Sequence, residues 1–128
     1  MKSWGSRLAG LDVSAYVVRG VLVDTGMMRA RASVAALLRE AKLEGVMITH
    51  WHEDHAGNAT LLAERGLPLA MHAYTEARLR ERLSIRLYRR AVWGTPAPLQ
   101  PSFHHFEHPV LRFVHTPGHT PDHQVVWD

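Results

Sequence analysis

Three histidines and an aspartate fall within six consecutive positions in the stretch Ile48-Thr49-His50-Trp51-His52-Glu53-Asp54-His55-Ala56-Gly57-Asn58, directly after a short apolar run. His50 and His52 are two apart, so at the end of an extended segment both side chains leave the same face, with Cα atoms roughly 6–7 Å apart. Two imidazoles so placed can close on one metal at about 2.0–2.1 Å. Asp54 and His55 come where Gly57 and Asn58 mark a turn into a helix, so they point at a neighbouring position. One short segment therefore offers ligands to two adjacent metals. With ten His in the chain, the pattern H-x-H-x-D-H arises by chance with a probability of roughly 0.002, so the stretch reads as a metal-binding turn.

The rest of the composition narrows what that metal can sit on. The chain has no cysteine, which removes disulfides and thiolate sites, so any metal must be held by His, Asp or Glu. Its 128 residues suffice for one domain with a buried core. At 46% hydrophobic and 21% charged it belongs with globular rather than disordered chains. Met1 to Gly10 lacks the apolar region of a signal peptide, and no run approaches the length of a membrane span. The expectation is a cytoplasmic protein with no membrane partner. Formal charge is +3 and thirteen of the fifteen basic residues are Arg, a balance that supports a nucleic-acid partner only weakly.

Along the chain, Leu11 to Arg19 and Val21 to Asp24 read as two β-rich runs broken at Gly20, a hairpin. From Arg31 to Leu43, Val34, Leu37, Leu38 and Ala41 recur at helical spacing, giving an amphipathic helix ended by Gly45. Val46 to Thr49 is a short apolar strand of the kind buried between helices, and it delivers His50. Ala59 to Arg65 reads as a helix stopped by Gly66, and Leu67 to His72 as a strand. His72 thus ends near the sheet edge, in a structural or ligand-orienting place. Ala73 to Trp93 reads as one helix with Leu79, Leu83, Leu87 and Val92 as its apolar stripe. Its Arg78, Arg80, Arg82, Arg86, Arg89 and Arg90 form either a solvated face or a surface that steers anions. Gly94 to Pro101 is a proline-rich loop. His104, His105 and His108 read as strand and turn residues, and Val110 to Val114 and Gln124 to Trp127 as strands. Strands alternating with helices predict an α/β fold.

The motif at His50 to His55, together with Leu22-Val23-Asp24-Thr25-Gly26 before it and Thr116-Pro117-Gly118-His119-Thr120 after it, resembles the metallo-β-lactamase superfamily of zinc-dependent hydrolases. The resemblance runs from about Ser14 to Asp128 and leaves the substrate open. It implies an αβ/βα sandwich, of which residues 1–128 form one domain, incomplete at the C-terminus: the first half and the start of the second. It makes His119 the third histidine beside His50 and His52, gives Asp54 and His55 to a second metal, and makes Asp24 a residue that orients ligands. Read alone, Asp24 is a strand-terminating turn residue. The family's metal-bridging aspartate and its last histidine lie on later strands and have no counterpart here.

The implied cofactor is Zn2+, one or two per chain, with iron as the less favoured metal, since His and carboxylate ligands suit both. Zinc lowers the pKa of bound water from 15.7 to about 7, so hydroxide becomes available at neutral pH to attack an ester, thioester, amide or phosphodiester. Asp54 would hold that nucleophile as well as ligate. The implied partner is a small-molecule or acyl-type substrate. Rival readings are a non-catalytic metal-binding half-domain that forms a homo-oligomer by burying an otherwise exposed sheet face, and a dioxygenase-like relative that keeps the fold and holds a single iron for oxygen chemistry.

Overall fold

The computed structural model describes residues 13–81, 84–100 and 102–128. Strands β1 (Tyr16–Val18) and β2 (Val21–Val23) pair antiparallel, with Val17 opposite Leu22. The two residues between them, Arg19 and Gly20, both have positive φ, 48° and 77°. That is the two-residue hairpin turn whose twist matches the strands it joins, and the expected hairpin is present. Leu11 and Asp12, placed in its first strand by sequence, lie outside the described residues.

A 3-10 turn, Met28–Ala30, leads into helix α1 (Arg31–Glu40). The chain then returns as β3 (Gly45–Met47), parallel to β2. Helix α2 (Ala59–Glu64) carries it to β4 (Leu69–Ala70), parallel to β3. The four strands form one sheet in the order β1-β2-β3-β4, with the helices α3 (Ala73–Arg80) and α4 (Leu87–Trp93) following. Strands β5 (Arg112–His115) and β6 (Gln124–Trp127) form a second, two-stranded antiparallel sheet.

Side-chain alternation along β2 and β3 explains why these two strands are apolar throughout. Leu22, Val46 and Ile48 join Val34, Leu61, Leu62, Leu69 and Leu79 in the main core on the helix face. Val21 and Met47 point the other way, onto Leu111, Phe113 and Val126 of the second sheet region. The central strands are therefore covered on both faces, as buried parallel strands are. Helices, sheet and second sheet lie in successive layers, a mixed α/β arrangement.

Several boundaries differ from the sequence reading, each for a local reason. Helix α1 stops at Glu40, where Ala41 turns extended with ψ 133°. Gly45 does not end that helix: it opens β3, and a Cβ there would come within 2.7 Å of the Phe106 ring, so the glycine makes room for Phe106. Strand β4 is shorter than expected because Pro68 has no N–H and His72 already caps α3, accepting from the Tyr74 N–H at 3.1 Å. The single helix expected over 73–93 is two helices. Leu79 O at the end of α3 accepts from Leu99 N at 2.7 Å, tying that carbonyl to the following loop. The predicted apolar stripe breaks accordingly, with Leu79 buried and Leu87 80% exposed, while Arg82 and Leu83 lie outside the described residues. Pro101 of the proline-rich loop also lies outside them. Strand β5 starts at Arg112 because His108 Nδ1 accepts from the Val110 and Leu111 N–H groups and bends the chain before it.

Ile48 is fully buried two residues before His50. Ile48→Ala is expected to lower stability by about 2–5 kcal/mol, read as a lower urea midpoint at unchanged slope.

Candidate metal centre

The parallel strands β2 and β3 end at the same sheet edge, and each hands its first loop residues to one cluster. Asp24 follows β2 in the left-handed region, φ 60°, a conformation costly for a residue with a Cβ. Its buried carboxylate faces the end of β3. Oδ1 accepts from Thr49 N at 2.8 Å, Thr49 Oγ1 lies 3.0 Å from both carboxylate oxygens, and Oδ2 lies 2.7 Å from His55 Nδ1. Thr49 Oγ1 also lies 3.0 Å from His50 Nδ1. The hydroxyl has one proton, and the carboxylate only accepts, so the proton goes to Asp24 and His50 Nδ1–H donates to Thr49. This tautomer leaves the lone pair on His50 Nε2, a buried atom with no hydrogen-bond partner. An unprotonated, unpartnered imidazole nitrogen, with the proton on the other ring nitrogen, is what a metal site requires.

His52 and His119 complete the cluster. One nitrogen from each of His50, His52 and His119 lies within 4.8 Å of the others, one side chain buried, one half-buried and one exposed. His52 Nδ1 and His119 Nε2 are 3.1 Å apart, close enough for both to reach one ion at about 2.0–2.1 Å. His55 Nε2 faces Asp54 Oδ2 at 3.8 Å, beside this trio, and Asp54 Oδ1 is a further buried atom without a partner. The donor set thus fits a metal, three imidazoles in one group and an Asp54–His55 pair next to it.

Backbone stitching holds the two loops together. Thr25 N and Oγ1 both donate to His55 O, at 2.7 and 2.9 Å. The buried Asn58 side chain donates to Thr25 O and Met27 O at 2.9 and 2.8 Å. Gly57 lies where these segments meet, and a Cβ there would fall 2.6 Å from Met28 N and 2.8 Å from Gly26 O, with Glu53 O closer still.

Sequence reasoning passed over four contributors. Asp122 is fully buried and accepts from Trp51 N at 3.0 Å and Thr75 Oγ1 at 2.6 Å, fastening the His119 loop to the motif. Burial alone would raise its pKa, but hydrogen bonds from Thr75, Thr120 and the backbone outweigh this and lower it. His123 brings its ring centroid to 5.3 Å from that of His50 while its Nδ1 lies 2.9 Å from Thr116 Oγ1. Thr49, the last residue of the apolar run, sets the His50 tautomer. Glu53, between two motif positions, is buried against Arg89 of α4. The spacing of apolar residues carries no trace of these partners, because each is a single polar residue.

The remaining histidines stand apart. His72 caps α3 and stacks on His115 at 5.2 Å, and His115 Nε2 contacts Pro121 O. His108 serves the turn before β5. The arginine run is largely committed: Arg78 pairs with Glu81 and covers Trp51, Arg80 pairs with Glu76, and Arg89 pairs with Glu53. Arg86 and Arg90 form no ion pair with any described residue, and Arg82 lies outside the described residues.

Burial, and then the nearby His55, His52, His119 and His123, push the His50 pKa from 6.5 down to about 3. His52 is lowered too, by burial and by Arg89. For His55 burial acts downward, but the Asp24 hydrogen bond and charge outweigh it and the pKa rises. Burial also raises the pKa of Glu53.

The family model for the metallo-beta-lactamase superfamily matches residues 8–128, nearly the whole chain and all of the cluster. The chain belongs to the metallo-β-lactamase superfamily. Among curated proteins it is 37% identical to the lactamase-like protein aptB of Emericella nidulans, over 80% of this chain and 30% of that protein. It is 30% identical to the beta-lactamase-like protein 2 homolog of Drosophila melanogaster, over 94% of this chain and 47% of that protein. It is 29% identical to the atrochrysone carboxyl ACP thioesterase nsrC of Aspergillus novofumigatus, over 80% of this chain and 29% of that protein. The chain thus spans between about a third and a half of the length of the relatives it matches. The fold matches the metallo-beta-lactamase SMB-1 with a TM-score of 0.60 at 23% identity, over 83% of this chain and 46% of that one. It also matches TTHA1623, solved in a di-iron-bound form, with a TM-score of 0.57 at 23% identity, over 90% of this chain and 60% of that one. These neighbours confirm the expected metallo-β-lactamase-like α/β fold.

Two outcomes test this superfamily site. Below pH 6.5 the unfolded chain protonates at His50, whereas the folded chain resists until about pH 3, so metal-free stability falls as pH drops through that window. His55, shifted upward, opposes this with stability present below pH 6.5 and lost above its own raised pKa. His50 has much the larger shift, so the urea midpoint at pH 5 is expected below that at pH 7.5, with a flatter profile in His50→Gln; equal midpoints in the unmodified protein would contradict the assignment. Gly57→Ala forces backbone apart at the loop junction and is expected to cost about 1–3 kcal/mol, read from thermal unfolding.

Proposed function

We propose that the chain supplies the metal-binding part of a metal-dependent hydrolase acting on an acyl-type substrate, with a thioester or ester as the favoured centre and amides or phosphodiesters as the wider class. The observation that carries this is the convergence of His50, His52 and His119, with His50 Nε2 buried and unpartnered. The likeness to nsrC, named a carboxyl ACP thioesterase, favours thioesters within that class. Zinc is the favoured metal, and iron follows from the di-iron-bound form of TTHA1623.

A bound divalent ion would supply a water of lowered pKa and would polarise the acyl oxygen. The chain's own residues perform the rest. His50, held by Thr49, His52 and His119 would bind the ion. Asp24 keeps His55 Nδ1 occupied, so that His55 Nε2 faces Asp54. Asp54, with Oδ1 buried and unpaired, would accept a proton from the attacking water and hold it in line. Asp54 and His55 would also serve a second ion. His72 caps α3 and stacks on His115, apart from the trio.

A second reading has one specific observation behind it. Val114 and Val125 face each other across β5 and β6 and are 43% and 40% exposed, and Trp127 beyond them is 67% exposed. That apolar strip would support self-association of a metal-binding, non-catalytic module.

Elemental mass spectrometry on protein purified without added metal distinguishes these. One to two zinc ions per chain, lost in His52→Ala, together with cleavage of an S-acyl thioester that Asp54→Asn slows by about 100-fold or more, is the expected result. Metal bound without hydrolysis, in a dimer that dissociates on dilution, would establish the second reading. Absence of any bound metal would sink both.

A further inference from the structure

Glu53 is the one acidic residue of the motif stretch that the metal reading leaves without a role. It lies between His52 and Asp54 and is 2% exposed. Its carboxylate meets the guanidinium of Arg89, 36 residues later: a terminal nitrogen donates to Oε2 at 3.0 Å, and Nε lies 2.5 Å from Oε1 as an ion-pair contact without hydrogen-bond geometry. Arg89 is itself held by Trp93, one turn on in α4, whose ring lies 4.9 Å from the guanidinium carbon. Trp93 packs in turn on Val13, Met27 and Ala30, the core cluster beside the Asp24 loop.

A buried ion pair is a poor device for stability, because replacing both partners by apolar residues is commonly neutral or favourable. What it does is restrict orientation: one directed hydrogen bond and a close ion-pair contact hold the planar guanidinium against both carboxylate oxygens. Glu53 sits in a turn closed by the His55 and Ala56 N–H groups, which both donate to His52 O, at 2.9 and 2.8 Å. Fixing the Glu53 side chain therefore fixes the rotation of that turn, and with it the directions in which the neighbouring His52 and Asp54 leave the backbone. We propose that Arg89 is a positioning residue of the metal centre, acting through Glu53 to aim His52 and Asp54. The proposal builds on the metal reading of the motif and extends the centre to α4, so that a segment between the two ligand motifs tunes how tightly the ion is held.

Zn2+ affinity of the full chain, measured by competition with a chromophoric chelator, is compared for the unmodified protein, Arg89→Met and the pair Glu53→Leu with Arg89→Met. Alongside, amide hydrogen exchange is followed in metal-free protein at His55 and Ala56, with Val46 in the sheet as the internal reference. Loss of a residue that orients a ligand costs about 10- to 100-fold in affinity, and that loss is expected in Arg89→Met. The His55 and Ala56 amides are expected to exchange about tenfold faster relative to Val46. The paired variant is expected to recover the urea midpoint but not the affinity or the slow exchange. Recovery of all three in the paired variant would show that Arg89 only neutralises a buried charge, and would overturn the proposal. So would unchanged exchange and affinity in Arg89→Met. If Arg89→Met does not fold, the paired variant alone decides. If the unmodified protein binds no Zn2+, the metal reading fails by that result, while the metal-free exchange still decides whether Arg89 fixes the turn.

Discussion

The site depends on one carboxylate. Asp24 sits in a backbone conformation that a residue with a Cβ adopts only under constraint, and it receives the ends of two other segments, Thr49 from β3 and His55 from the motif turn. Without those three hydrogen bonds a buried acidic group would be strongly unfavourable, and the loops would lose their common anchor. The same carboxylate sets the protonation pattern of two imidazoles, one directly and one through the Thr49 hydroxyl. Folding and ligand preparation are thus a single event at this position.

What surrounds the carboxylate keeps two of the imidazoles, His50 and His52, neutral. Five histidine rings gather at one sheet edge; burial and the neighbouring rings push His50 toward the neutral form, burial and Arg89 do the same at His52, and Asp24 pulls His55 the other way. A neutral imidazole offers a ring nitrogen lone pair to a cation, which a protonated one cannot. The protein accepts a cost in its metal-free state, held in place by Asn58, Thr25, Asp122 and the apolar strands beneath, none of which needs the ion to form its contacts.

Much of this was legible in the chain of residues, and the reason lies in range. His50, His52, Asp54 and His55 are local, so their spacing reports their geometry directly, and the apolar runs of β2 and β3 identify strands covered on both faces. The roles of Asp24 and His119 came through likeness to a family, since nothing local says which distant loop meets which. Asp122, Glu53 with Arg89, and Thr49 stayed hidden because a single polar residue leaves no periodic signal. The break between α3 and α4 was hidden for a related reason: the Leu79 carbonyl is claimed by Leu99, a tertiary bond that overrides a continuous helical pattern. Gly45 misled because a glycine near a helix end usually marks a cap, whereas here it clears space for Phe106.

The two-stranded sheet adds a feature of timing. His119 lies in the connection between β5 and β6, which reaches the motif through Asp122 on Trp51 and through the Gln124 N–H on Thr49 O at 3.0 Å. Everything else in the trio sits on neighbouring segments near β3, and closes over short stretches of chain. The third nitrogen arrives only when the hairpin docks across the sheet, so it pays the longest loop closure in the site. An ion already resting on His50 and His52 would then act as a latch, drawing His119 in and holding the second sheet against the first. In a metal-loaded molecule the ion would add one more link between two layers that Asp122 and Gln124 already join.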